Sequence, residues 1–121
     1  MIKGLGIDTI FVDKVERAAR NERFLEKCFT KTEIELFRKR GSNPQFLAGN
    51  FAVKEAVVKA FGTGFVGFFP RDVEVLRDEA GKPFIVLYGK AKKTAAEVGA
   101  VTIHVSITNT KELASAVAVI E

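Results

Sequence analysis

Apolar and polar positions follow a helical period through the first half of the chain and a period of two through the second. Val12, Val15, Ala19, Phe24, Leu25 and Cys28 recur at helical spacing, which predicts one or two helices over about 10–28. Thr30-Lys31-Thr32-Glu33 has the Ser/Thr-x-x-Glu pattern of a capping box and predicts a short helix to about Arg40, broken at Gly41 and Ser42. Asn43 as cap and Pro44 at the first helical position predict a long helix to Phe61. Beyond it, Asp72–Arg77 and Pro83–Tyr88 read as strands around the turn DEAGK, and Lys90–Val98 as a short helix ended by Gly99. Val101–Thr108 alternates, with Val101, Ile103, Val105 and Ile107 on one face and Thr102, His104, Ser106 and Thr108 on the other. After a turn at Asn109–Lys111, Leu113–Ile120 is a further strand. Met1–Ile7 predicts an N-terminal strand in which Gly4 and Gly6 permit close backbone approach and which Asp8 ends. Helices first and antiparallel strands afterwards predict an α+β fold, with helices packed on one face of an antiparallel sheet.

The segment FAVKEAVVKAFGTG (51–64) departs from ordinary amphipathicity. Val53, Ala56, Val57 and Ala60 share one broad apolar face, while Phe51 and Val58 lie almost opposite and flank Glu55. A helix that is apolar nearly all round is buried, so Lys54, Glu55 and Lys59 need partners.

Composition narrows the class. The 121 residues, 47% hydrophobic and 28% charged, suit one globular domain rather than a disordered or membrane-spanning chain. No apolar run has the length of a membrane span, and MIKGLGID lacks the features of a signal peptide. One cysteine, Cys28, excludes an internal disulfide and a multi-cysteine metal site. A cytoplasmic protein is the expectation. The net charge of +4 favours an acidic partner, whether nucleic acid, a phosphorylated small molecule or an acidic protein.

Four features carry candidate chemistry, each beside a plainer role. Asp8, after a Gly-rich strand, is a candidate ligand for a hard divalent cation, but on its own is better read as a helix cap. Glu55 and Lys59 form either an i,i+4 ion pair, worth about 0.2–0.5 kcal/mol when exposed, or a set facing a metal and a phosphate. Their apolar surroundings favour the second, because burying an ion pair for stability alone gains little. Gly62-Thr63-Gly64 is first a helix C-cap and second a phosphate cradle, which would need cations to offset the helix dipole. It lacks the spacing and the Gly-Lys-Ser/Thr ending of a P-loop. His104, the one histidine, lies on the polar face of its strand with Ser106, and a single histidine is more often structural than catalytic.

Taken together, GIDTI (6–10), FAVKEAVVKAFGTG (51–64), Gly-Lys-Pro (81–83) and IHVSITNTKELASAVAVIE (103–121) resemble the holo-acyl-carrier-protein synthases of the 4′-phosphopantetheinyl transferase superfamily, end to end and in order. The resemblance implies that fold, and transfer of 4′-phosphopantetheine from coenzyme A to a serine of apo acyl carrier protein, releasing adenosine 3′,5′-bisphosphate. It implies Mg2+ on Asp8 and Glu55, with Lys59, Gly62, Thr63, Gly64, His104 and Ser106 bordering the coenzyme. The serine proton would pass to Glu55 through a metal-bound water or to His104, a choice left open. Lys14, Arg20 and Arg23 fall where the family offers basic residues to the acidic carrier, and Arg17 adds to them. The family is typically trimeric with sites between subunits, so His104 and Ser106 would serve a neighbouring chain's Asp8 and Glu55. Through the carrier, the implied setting is fatty acid and lipid biosynthesis, with no nucleic acid or membrane partner. Three positions depart from the family pattern: Lys14 for a common Arg, Asn50 for a frequent basic residue and Asn109 for a common His.

Two other classes compete. A basic nucleic-acid-binding module would explain the charge, but it calls for basic and aromatic residues alternating on one surface, and most of the 11 Phe fall in core-like patterns or the apolar loop FGTGFVGFF. A coenzyme A-binding regulator would keep the pocket without transfer; retention of both Asp8 and Glu55 argues against it.

Overall fold

In the computed structural model, which describes all residues from Met1 to Glu121, an 18-residue helix lies across an antiparallel sheet, and the other elements close around them. In chain order these are β1 (Gly4–Phe11), α1 (Val12–Ala18), α2 (Glu22–Cys28), α3 (Lys31–Lys39), α4 (Pro44–Phe61), a 3-10 turn at Pro70–Asp72, β2 (Val73–Arg77), β3 (Pro83–Leu87), α5 (Gly89–Glu97), β4 (Ile103–Asn109) and β5 (Leu113–Ile120). The α+β architecture expected from the order of elements is present. Two antiparallel sheets form rather than one: a three-stranded sheet ordered β1-β5-β4, and the β2-β3 hairpin.

Local signals set several ends. Thr30 accepts from the Glu33 amide while the Glu33 carboxylate accepts from the Thr30 amide, a complete capping box for α3. Asn43 caps α4 through the Gln45 amide, and Gly62 ends the helix in the left-handed region at φ 79°. The N-terminal strand differs from its expected course. It starts at Gly4 and runs past Asp8 to Phe11, with Asp8 opposite Ala116 of β5. Pairing with β5 overrides the stop expected at Asp8. The residue before α1 is Phe11, with no side-chain cap, so Asp8 is not a helix cap.

Alternation gives the sheet two unlike faces. Gly4, Gly6, Asp8 and Ile10 of β1 lie on the same face as the buried Ala114, Ala116, Ala118 and Ile120 of β5, and this face meets α4. The glycines matter here. A Cβ on Gly6 would overlap the carbonyl oxygen of Ala56, and one on Gly4 that of Ala60, so β1 rests on the backbone of α4. On the far side of α4, Phe51 joins Phe24 and Phe29 with ring centroids 6.0–6.3 Å apart, so that side is covered as well.

The charges of α4 find separate partners. Lys54 is fully buried and donates to Glu33 Oε1 at 2.7 Å, to the Pro70 carbonyl at 3.2 Å and to the Val73 carbonyl. Burial pushes its ammonium pKa down and the Glu33 carboxyl pKa up, and their mutual attraction opposes both shifts. Glu33 is therefore more than a capping residue. Asn50, also fully buried, donates to Glu33 Oε2 at 3.2 Å and accepts from Arg77 Nη2 at 2.7 Å. Position 50 thus faces the interior and holds Arg77.

Candidate active site

The inner face of β1 and the C-terminal half of α4 bring three expected site residues together. Lys59 Nζ donates to Asp8 Oδ1 at 3.1 Å and to the Ile7 carbonyl at 3.0 Å. The i,i+4 pair between Lys59 and Glu55, the plainer and less favoured of the two readings, does not form; Lys59 turns to the strand, where a carboxylate and a free carbonyl offer two acceptors. Glu55 is half-buried, and its carboxyl pKa is raised first by burial, then by the negative charge of Asp8, with Lys59 opposing. Two carboxylates thus share one site with a single ammonium. Asp8 is held there by the Gly6 contact two residues earlier, and Glu55 by the burial of its neighbours Lys54 and Ala56.

This donor set is selective. No group of three or more His, Cys, Asp or Glu side chains is gathered anywhere. Two carboxylates alone suit a hard divalent cation that completes its shell with water and phosphate oxygens, and they suit thiolate- or imidazole-seeking metals poorly. The surplus negative charge has a pH consequence. A raised Glu55 pKa means that the folded chain holds this proton more tightly than the unfolded chain, whose value lies near 4.5. Without added cation, stability should rise as pH falls through that raised value towards 4.5, and Glu55→Gln should flatten this part of the profile. Thermal melts of both proteins across pH 4–8, roughly, test it; parallel profiles would mean that Glu55 is not strained.

One helical turn beyond Lys59, Gly62, Thr63 and Gly64 form an exposed loop, with Gly62 and Gly64 at φ 79° and 72°. Thr63 Oγ1 donates to the Gly64 carbonyl. The C-cap role read for Gly62 is present: its amide reaches the Val58 and Lys59 carbonyls.

His104 and Ser106 lie elsewhere. Both project from the outer face of the sheet, on β4, two strands from β1, while Asp8 lies on the face that meets α4. His104 Nε2 lies 2.8 Å from Glu121 Oε1. Within one chain the sheet separates them from Asp8 and Glu55. Across β5 from them the same face carries the exposed apolar Leu5 (66%) and Ile7 (66%), with Thr9 and then Phe11 (61%) farther along β1.

The basic residues expected at the first helix are spread over a turn. Lys14 is on α1, Arg20 in the link to α2, and Arg23 in the first turn of α2. All three are exposed and without an ion-pair partner; Arg17 pairs with Asp13 at 3.9 Å.

A second concentration of positive charge escaped the sequence reading. Arg40 and Arg77 lie 4.8 and 4.9 Å from the centroid of the Phe46 ring, at a cavity of about 270 Å3 also lined by Pro83 and Asn109. Neither arginine has a carboxylate partner, and burial followed by the charge of Arg40 lowers the Arg77 pKa. Unpaired guanidiniums around a pocket suit an anion. The signal was faint: Arg77 is the last residue of β2, and only the buried Asn50 reveals its direction.

The family model of the 4′-phosphopantetheinyl transferase superfamily matches residues 4–118. The holo-[acyl-carrier-protein] synthase of Lachnoclostridium phytofermentans is 51% identical over 116 residues, covering 96% of this chain and 93% of the relative. Among solved structures, the holo-[acyl-carrier-protein] synthase of Neisseria meningitidis superposes with a TM-score of 0.90 at 29% identity, covering 100% of this chain and 99% of that one. The Bacillus anthracis synthase in complex with CoA (3′,5′-ADP) has a TM-score of 0.80 at 33% identity, covering 100% and 97%.

Proposed function

The chain belongs to the 4′-phosphopantetheinyl transferase superfamily as a holo-[acyl-carrier-protein] synthase, and from that premise we propose how its residues act. It moves 4′-phosphopantetheine from coenzyme A to a serine hydroxyl of apo acyl carrier protein, with Mg2+ held by Asp8 and Glu55, and releases adenosine 3′,5′-bisphosphate. The observation that carries this reading is the meeting of Asp8, Glu55 and Lys59 one turn before the Gly62–Gly64 loop.

Phosphoryl transfer asks the protein mainly to position groups and to offset developing charge. The serine oxygen attacks the β-phosphorus, the bond to the adenosine bisphosphate breaks, and the serine proton passes to a base. When bound, Mg2+ supplies positive charge to the pyrophosphate oxygens. Lys59, half-exposed with two acceptors already engaged, keeps one N–H for a phosphate oxygen. Its charge also offsets the dipole end of α4 beside the loop. Within one chain Glu55 is the candidate base on the same side of the sheet as Asp8, whereas His104 lies on the opposite face.

His104 and Ser106 complete the site from a neighbouring copy in a homotrimer. The exposed Leu5, Ile7 and Phe11 of β1 give that outer face the apolar surface an assembly would cover. Mixing unfolded Glu55→Ala and His104→Ala chains and refolding them together should recover activity that neither variant has alone. Activity no higher than in the separate variants would argue for sites within one chain.

The cation that position 50 does not offer is supplied by Arg40 and Arg77, which meet the phosphate on the adenosine ribose. Arg77→Ala should raise the KM for coenzyme A about tenfold, the order expected for one charged hydrogen bond. Dephospho-coenzyme A, lacking that phosphate, should be affected far less. Equal losses with both substrates would remove Arg77 from this role.

Lys14, Arg20 and Arg23 receive the acidic carrier. The test of the whole reading is intact-mass analysis of apo carrier incubated with the chain, coenzyme A and Mg2+. A gain of one phosphopantetheine is expected, slower at high salt and abolished by EDTA. A folded protein that modifies none of several carriers would leave the coenzyme-binding regulator as the better account. With carriers of that acidic kind, the setting is fatty acid biosynthesis in the cytoplasm. No helix is long and apolar enough to cross a membrane.

A further inference from the structure

The Lys54 ammonium has three N–H donors and three acceptors, from three different elements: Glu33 on α3, the Pro70 carbonyl in the 3-10 turn and the Val73 carbonyl on β2. Stability does not require this arrangement, since a buried ion pair is often replaced by apolar residues at little or no cost. What apolar side chains do not reproduce is the grip on two backbone carbonyls.

Those carbonyls stand at the far end of the Gly62–Phe69 loop. At its near end the loop is fixed to α4 by the Gly62 cap. Between the ends, Gly62, Gly64 and Gly67 all have positive φ, and the internal hydrogen bonds are few: Val66 N to Gly64 O and Thr63 Oγ1 to Gly64 O. Phe68 packs into the core. From residues 63–72 to α4, the Lys54–Pro70 bond is the one hydrogen bond. A glycine-rich loop with so little internal bonding takes its course from its two anchors.

We propose that Lys54 is a positioning residue, whose bonds to Pro70 and Val73 fix the return end of the Gly62–Phe69 loop and thereby the surface it offers to the coenzyme. This rests on the reading that the loop borders coenzyme A. Lys54 acts through the loop and touches no substrate. Its neighbour Glu55 faces the opposite requirement on the same turn of helix: one charge grips the scaffold, the next faces the reaction.

The test compares three proteins: wild type, Glu33→Gln, and the double variant Glu33→Leu/Lys54→Met, which removes both charges of the buried pair together. Hydrogen exchange of peptides spanning 62–72 is read without substrate, and KM for coenzyme A and kcat are read with it. In the double variant, exchange at the Phe69 and Asp72 amides, both bonded in the wild type, should quicken about tenfold or more. The β1 and β5 peptides should stay as in the wild type. KM should rise more than kcat falls. Glu33→Gln keeps both carbonyl bonds, so its loop exchange and KM should remain near wild type even where its Tm drops. Overturning results are a folded double variant with wild-type loop exchange, or a KM that follows Tm across all three proteins. Should the double variant not fold, wild-type Phe69 and Asp72 amides that already exchange at unprotected rates would sink the idea equally. If coenzyme A proves not to be the substrate, the exchange data still decide whether Lys54 holds the loop.

Discussion

Asp8→Ala and Glu55→Ala proteins should fold and yet load carrier protein at least about a hundredfold more slowly than wild type, the scale seen when one group stabilising developing charge is removed. Folding should survive because neither side chain belongs to the core. Asp8 keeps 17% of its side chain exposed and is bound only by the half-exposed Lys59, while Glu55 has no hydrogen-bond partner of its own. Glu55→Ala removes a carboxylate strained first by burial and then by the charge of Asp8, and Asp8→Ala removes that charge, so cation-free stability should be unchanged or higher. Intact-mass time courses and thermal melts, with Mg2+ and with EDTA, read both effects. In the wild type, Mg2+ should raise Tm, and in the variants it should not. Transfer near the wild-type rate in both variants would leave the enzyme intact and the metal assignment wrong.

The second large effect belongs to a residue with no functional group. Gly6→Ala places a methyl against the Ala56 carbonyl oxygen and the Ala60 amide nitrogen, both backbone atoms of α4 that no rotamer change can move. The strand or the helix must shift, at an expected cost of about 1–3 kcal/mol or more, and Tm should fall by about 5–15 °C. Activity should drop further than the loss of folded protein explains, because Asp8 stands two residues on and would move away from Glu55. Gly41→Ala serves as a control. Unlike Gly6, it sits at positive φ, 71°, and nothing lies within 4 Å of the added methyl. It should cost about 1 kcal/mol and leave kcat alone. A Gly6→Ala protein with unchanged Tm would mean that the contact with α4 is looser than described.

The elements most legible in the chain were those whose signals are local. Asn43-Pro44 and Thr30–Glu33 specify helix starts through bonds spanning two or three residues, and both form as read. The alternation of 103–107 assigns the faces of β4 without ambiguity. What pattern alone did not separate was which charge on α4 goes inward. Lys54 and Glu55 differ by one 100° step, and the deciding partner, Glu33, lies 21 residues earlier with its local role already accounted for by the capping box. The end of β1 was misplaced for a similar reason: pairing with β5 carries the strand through Asp8, and β5 is more than a hundred residues away. The polar face of β4 was assigned correctly, but whether it looks towards Asp8 depends on strand order, which the spacing of residues within β4 does not contain.

β1 is read in two directions at once. Its even positions, Gly6 and Asp8, meet α4 and the carboxylate site, and its odd positions, Leu5, Ile7 and Phe11, form the bare outer surface. A strand repeats every two residues, so inserting or deleting one residue between Gly6 and Asp8 would exchange the two sets. Aspartate would point outwards and a bulky side chain would press on α4. This stretch should therefore be intolerant of any change in length, while the exposed tip of the turn joining β2 to β3, Asp78–Ala80, lies outside both surfaces and accepts extra residues. A library of single-codon insertions along the gene, selected for growth dependent on this enzyme, would map that contrast as a sharp gap over β1 beside a permissive hairpin.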